Sequence, residues 1–428
     1  MAENGSGGGI SDITFTGGAY GIYGGEQQFT AQRLSFSGCT VGVQVIWDWG
    51  WVWKSVTMSN VGTGFKLVPD AGQTGDIGSA SILDSSFNNV PTAIEIGPPS
   101  SAPGTGTTGI ILDNVAFSGV TRLVGDTSGA TLLAGSVAKV DHWALGPVYS
   151  GNGTRSFSMG GKLGNFHRPV ELTNPATGAY FERPKPQYED RPVGDFVYVK
   201  DFGATGNGVT DDTAAFQNAL WQSQGKILFV DAGSYLLTST VKVPTGVKVV
   251  GETWSQLVAS GSFFQDANNP TPLLQVGEKG QTGAVELQDL IITTKGPTAG
   301  VILIEWNMKA SGAGLAGMWD VHVRIGGATG TGLTSHECPA VTSGVNANCN
   351  AASLMMHVTP QASGYCGGRS WNCVLECITN RDDWFSIRYL WPQDSAGVNA
   401  HTPPPTATQH ALHTNHPSTT AFFGLGPM

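Results

Sequence analysis

Five short triplets recur along the first part of the chain: Ile13-Thr14-Phe15, Leu34-Ser35-Phe36, Val56-Thr57-Met58, Ser85-Ser86-Phe87 and Val115-Ala116-Phe117. Each is followed at once by a Gly or Asn turn, and the spacing of roughly 21 to 30 residues is that of one coil of a strand solenoid. Alternation within a triplet turns one apolar side chain inward and its neighbours out, so stacked coils bury an inward row. An antiparallel β-sandwich, which also has strands at regular spacing, stays open at this point.

Composition agrees with many short strands. With 60 glycines and only 13% charged residues, the chain is poor in the surface of a helical protein and rich in corner residues, while its 12 Trp and 18 Phe exclude disordered low-complexity sequence. A formal charge of -10 supplies no basic stripe to displace counterions from phosphates, so no nucleic-acid partner is expected. No apolar run reaches the roughly 18 residues of a membrane span, and the opening MAENGSGGG has no apolar leader core. No metal or other cofactor is expected.

A second landmark is Phe196 to Leu220, FVYVKDFGATGNGVTDDTAAFQNAL. It reads as a strand, a glycine-rich turn and an amphipathic helix that Asp211 or Asp212 can cap, because a carboxylate accepts from orphan N–H groups at the positive end of the helix dipole. Short strands closed by Gly or Pro follow, as at the mouth of a solenoid. Between the two sets of strands, residues 181–195 carry Pro184, Pro186 and Pro192 with charges of both signs and read as an extended linker. The expected organisation is strands over 1–180, linker over 181–195, and a second set over 196–364. Residues 365–428, with an abrupt shift to Cys, His, Pro and Thr, are expected to be disordered. In that tail only Cys373 and Cys377 have zinc-like spacing, so no metal site is read there. Cys338 and Cys349 share a polar loop, where a disulfide suits an oxidising compartment.

Further strings carry a family resemblance. The Phe196 stretch resembles the opening motif of the pectate-lyase-like β-helix superfamily. GGAYGIYGGEQQFT, WDWGWVWKSVTMSNVG, VGETWSQLVASGSFF, LIITTKGPTAGVILIEWN, WDVHVRIGGATGTGL and SLMMHVTPQASGY resemble, more narrowly, fungal exo-β-1,3-glucanases of glycoside hydrolase family 55. The resemblance implies an all-β chain of two right-handed parallel β-helices joined by the Pro-rich linker, with a cleft between them. It implies an extracellular, monomeric enzyme releasing glucose from β-1,3-glucan with inversion.

The family carries the opening motif twice; here it occurs once. Its catalytic glutamates lie past the SGY string, where this chain has no match. The first β-helix is therefore expected to lack N-terminal coils, the second its C-terminal coils, and the chain its general acid. What remains by resemblance is the water-holding side, for which Gln27, Gln28 and Ser55 are the matching residues, since amide and hydroxyl groups both donate and accept. Trp47, Trp49, Trp51 and Trp53 alternate in sequence, so in one strand their rings would share a face and stack on sugar rings. Asp48 points the other way. The alternatives are a carbohydrate-binding β-helix without catalysis, a purely structural solenoid, and a pectate-lyase-like or polygalacturonase-like enzyme.

Overall fold

The structure is a computed structural model and describes residues 8–69, 77–102, 108–149, 151, 154–162, 167–339, 344 and 346–367. The chain divides into two compact units between Phe181 and Glu182.

The first unit begins with β1 (Gly9–Thr16), β2 (Tyr20–Ser37), β3 (Val41–Ser59), β4 (Thr63–Leu67), β5 (Ser79–Leu83), β6 (Ser86–Asn88), β7 (Thr92–Ile96), β8 (Gly109–Ser118) and β9 (Arg122–Asp126). These strands pair in parallel with the strand one coil further along. Phe15, Phe36, Met58, Phe87 and Phe117, the last residues of the five triplets, form one inward ladder. Along it, Phe15 stacks on Phe36 at 4.7 Å and Phe87 on Phe117 at 5.4 Å. Two more inward ladders run through Ala31, Trp53, Ile82 and Leu112, and through Ile22, Val43, Phe65, Ile94 and Val124. In-register parallel pairing of this kind does not arise in an antiparallel sandwich.

Corners between the ladders are left-handed. Asp12, Arg33, Ser55, Asp84 and Asn114, one coil apart, have φ of 48–61°, and Gly17, Gly38, Asn60, Asn89 and Gly119 form a second series with φ of 53–70°. Gly and Asn tolerate this region at little cost; Arg33 does not, and its guanidinium is anchored on Asp12 at 2.7 and 2.8 Å. The far end of the unit changes pattern. β10 (Thr131–Ala134) runs antiparallel to β9, β11 (Lys139–Tyr149) antiparallel to β8, and β12 (Arg155–Gly161) antiparallel to β11. Such a reversal ends the parallel ladder.

The second unit holds β13 (Phe196–Tyr198), β14 (Asn207–Asp211), α1 (Thr213–Gln222), β15 (Ile227–Val230), β16 (Ser234–Leu237), β17 (Val241–Val243), β18 (Lys248–Ala259), β19 (Thr271–Val276), β20 (Thr282–Gly283), β21 (Val285–Thr294), β22 (Val301–Trp306), β23 (Lys309–Ala310), β24 (Ala316–Arg324), β25 (Leu354–Val358) and β26 (Tyr365–Gly367). Its described strand pairs are all parallel. Val249, Leu287 and Met318 form one inward ladder, and Leu257, Ile292 and Val323 another. Helix α1 buries Phe216, Ala219 and Leu220 on the first coil, with Phe216 5.9 Å from Tyr235.

The two aspartates before α1 divide their work. Asp212 stands at the N-cap position, but its carboxylate makes no cap; it accepts from Thr205 N at 2.7 Å and Gly206 N at 3.0 Å. The glycine-rich turn folds back over the helix start and presents those N–H groups first. Asp211 instead accepts from Thr213 N at 3.0 Å and Thr238 Oγ1 at 2.7 Å.

The proline-rich stretch lies along the second unit. Arg183 is paired with Glu286 and stacks over Trp319, Lys185 is paired with Asp289 and lies 3.3 Å from Asp320, and Tyr188 donates to Glu286. Asp289 and Asp320 are themselves left-handed corner residues of successive coils. Cys338 and Cys349 form a disulfide. The tail from residue 368, with Cys373, Cys377 and its histidines, lies outside the described residues.

Candidate functional site

The residues singled out in WDWGWVWKS lie on β3, which traverses most of a coil. Inside it the inward parity resets. Val43 and Val45 point in, then Ile46 and Asp48, then Trp51 and Trp53, and after the left-handed Ser55, Val56 and Met58. The four tryptophans therefore do not share a face. Trp51 and Trp53, 3% and 0% exposed, belong to the core: Trp53 meets Phe65 edge-on at 5.0 Å, and Trp51 stacks on Phe29 at 4.8 Å and donates to Glu26 O. Trp47 and Trp49 remain half-buried and outward. Period-2 reasoning fails here because a coil corner falls between Asp48 and Trp51.

Gln27 is in register with Trp49, and Gln28, which is exposed, with Gly50. Ser55 stands six positions further round the coil than Trp49, so it belongs to a different corner. There Lys54 Nζ donates to Ser55 Oγ at 3.3 Å and to Tyr180 O at 3.2 Å, and lies 3.5 Å from Asp84. Arg168 closes this corner. It bridges Asp84 and Asp113, donates to Gly178 O at 2.9 Å, and stacks over Tyr180 at 4.1 Å.

Behind the outward Gln27 and Trp49 lie two acids that the sequence did not single out as a pair. Glu26 and Asp48 are in register on β2 and β3 and are only 3% and 2% exposed. Asp48 Oδ1 accepts from Gly78 N at 2.6 Å and Ser79 N at 3.2 Å, whereas its buried Oδ2 has no partner among the described residues. Two backbone donors favour the charged form, yet burial outweighs them and pushes the Asp48 carboxyl up to about 7.

That balance fixes a pH dependence. An acid whose folded value lies above its unfolded 3.8 stabilises the fold fully below 3.8 and loses that contribution as pH rises to about 7, an upper range of about 4 kcal/mol. The melting temperature should fall between pH 4 and 7.5, and D48N should flatten that fall. An unchanged pH profile in D48N would refute the assignment.

Glycines make the packing around Asp48 possible. A Cβ on Gly25 would come within 2.3 Å of Trp47 Cδ1, and one on Gly78 within 2.4 Å of Trp49 O. The Trp47 indole thus lies against the backbone of the preceding coil.

In the second unit Glu286, Glu305 and Glu252 are engaged. Glu286 holds Arg183 and Tyr188, Glu305 accepts from Asn307 Nδ2 at 2.9 Å and faces His357 at 3.5 Å, and Glu252 accepts from Ala232 N at 2.8 Å. Among the described residues, no group of three or more His, Cys, Asp or Glu could hold a metal ion.

A family model described as rhamnogalacturonase A/epimerase, pectate lyase-like, matches residues 1–66 and 196–314, the opening coils of each unit. The chain is 39% identical over 407 residues to a glucan 1,3-beta-glucosidase of Cochliobolus carbonum, covering 94% of this chain and 49% of that protein. It is 32% identical to a probable glucan endo-1,3-beta-glucosidase of Arthroderma benhamiae, covering 85% of this chain and 52% of that protein. A non-secreted LysM effector, LysM19, of Penicillium expansum is 39% identical over 86% of this chain and 30% of its own length. The chain spans about half the length, or less, of the curated relatives it matches. Over the matched residues the chain is similar to a pectate-lyase-like model, and over most of its length to glucan 1,3-beta-glucosidases.

Proposed function

We propose that this chain is the glucan-engaging part of an extracellular exo-β-1,3-glucosidase that releases glucose from β-1,3-glucan with inversion. The observation that carries this reading is the 39% identity to a glucan 1,3-beta-glucosidase along 94% of the chain. On it, the two units are right-handed parallel β-helices with residues 181–195 between them, and the chain acts as a monomer. Trp47 and Trp49 stack on sugar rings, while Gln27 and Gln28 beside them hold the attacking water; Ser55, at a different corner beside Lys54, is withdrawn from that role. Trp51 and Trp53 are withdrawn from sugar stacking by their burial. The disulfide supports an oxidising compartment.

An inverting glycosidase needs a carboxylic acid across the scissile bond from the water. In the second unit Glu286, Glu305 and Glu252 are already engaged, and no described acid of that unit is proposed for that role. The chain is therefore expected to bind glucan and to turn it over slowly or not at all. In a native gel containing laminarin its migration should be retarded, and W47A/W49A should abolish the retardation while moving the melting temperature little. Unretarded migration of the wild-type chain would sink the reading. Any glucose released should appear first as the α-anomer by NMR; β-anomer would exclude inversion.

The half-exposed Trp47 and Trp49 also favour a second reading, glucan binding without catalysis. Binding with no glucose release, even at high protein concentration, selects it.

A further inference from the structure

Trp47 and Trp49 flank a side chain that points the opposite way. Asp48 enters the stack between them, stands on Glu26 of the preceding coil, and holds Gly78 N and Ser79 N of the following one. One carboxyl therefore ties its own coil to the following one at the height of both indoles, in register with Glu26 of the preceding coil. The fit leaves no slack, because the Trp47 ring rests on Gly25 and the Trp49 carbonyl on Gly78, where no Cβ has room.

We infer that Asp48 is a positioning residue for the Trp47–Trp49 face: its buried carboxyl sets where the two indoles stand, and its ionisation displaces them and weakens glucan binding there. The inference rests on the proposed glucan-binding role of that face.

The physical argument is one of like charge and missing partners. In-register side chains of adjacent parallel strands are about 5 Å apart, so two buried carboxylates stacked this way cannot both ionise without moving or admitting water. Asp48 Oδ2 has no donor among the described residues to compensate a charge. Of the strands paired with β3, β2 brings Glu26, Arg33, Tyr20 and Tyr23, β4 brings Lys66, and β5 and β6 bring no charged residue. Arg33 is bound to Asp12, Lys66 is in register with Glu95, and Lys54 on β3 itself is held at Asp84. None of these pairings supplies a countercharge to Asp48. Relief comes through the elements it touches, the backbone under Trp47 and Trp49.

The test is a pH titration of tryptophan emission and of laminarihexaose binding from pH 5 to 8.5. In the wild-type chain the emission should titrate with a midpoint near 7, and affinity should fall about fivefold to tenfold across it. D48N, which keeps the acceptor and cannot ionise, should hold both readouts flat at their low-pH values. W47F/W49F should lose the emission titration while keeping the pH dependence of melting. Emission that does not titrate in the wild type, or a titration unchanged in D48N, overturns the inference without needing any ligand. Absence of laminarihexaose binding at every pH, with the emission titration intact, instead overturns the glucan reading and leaves Asp48 as the residue that sets the indoles.

Discussion

Replacing Arg168 with methionine should destabilise the first unit by about 3–5 kcal/mol at pH 7, because breaking a buried pair leaves charges uncompensated. The guanidinium reaches Asp113 at 2.8 Å and Asp84, whose side chains are 6% and 2% exposed. Both aspartates keep other partners: Asp84 accepts from Asn114 Nδ2 at 2.6 Å and Tyr180 N at 3.0 Å, and Asp113 faces His142 at 2.9 Å. Those bonds place the loss toward the lower end of the range. R168K should recover only part of it, since an ammonium cannot fork between two carboxylates and stack on Tyr180. Urea unfolding at pH 7 measures this. Equal midpoints for wild type and R168M at pH 7 would show that the corner does not depend on Arg168.

Trp53→Ala should be of similar size, about 3–5 kcal/mol, as expected for deleting a fully buried indole. Trp51 lies 5.3 Å away and Phe65 5.0 Å, and the space between three inward ladders cannot collapse without moving several coils. W53F should cost far less. The Trp53 Nε1 group is buried without a hydrogen-bond partner among the described residues, so phenylalanine removes an unsatisfied donor together with some volume. Trp49→Ala, on the outer face, should change stability by about 0.5 kcal/mol or less. Comparing melting temperatures of W53A and W49A checks the inward and outward assignments; equal losses would contradict them.

That pair of tryptophans shows where sequence reasoning stops. The triplets ending in Phe15, Phe36, Met58, Phe87 and Phe117 were legible because each is short, lies between corners, and ends at a turn residue. WDWGWVWKS was not, because alternation holds only within a straight run, and this segment crosses a corner at the lone Gly50, which lacks the left-handed backbone of the other corners. The corner at Ser55 is left-handed in a residue type that seldom is. The pairing of Glu26 with Asp48 escaped notice for another reason. They are far apart in sequence and become neighbours only through the coil register. Asp211 and Asp212 stand at the start of α1, and which of them bonds the helix depends on how the preceding turn folds back. The linker's charges found partners on strands about a hundred residues away, a pairing that no local pattern encodes.

The coils of the first unit are not all the same length, and the differences fall in one place. From Val43 to Trp51 the chain takes eight steps; between the equivalent ladder positions Phe65 and Ala80 it takes fifteen, and between Ile94 and Ile110 sixteen. Elsewhere the rungs keep step, residue for residue. Insertions thus enter at one edge of the stack, on the side where Trp47, Asp48 and Trp49 stand. Descendants of such a chain can lengthen, shorten or rewrite that edge without disturbing the inward ladders. Change at that edge and change in the inward ladders then fall on separate stretches of the same gene.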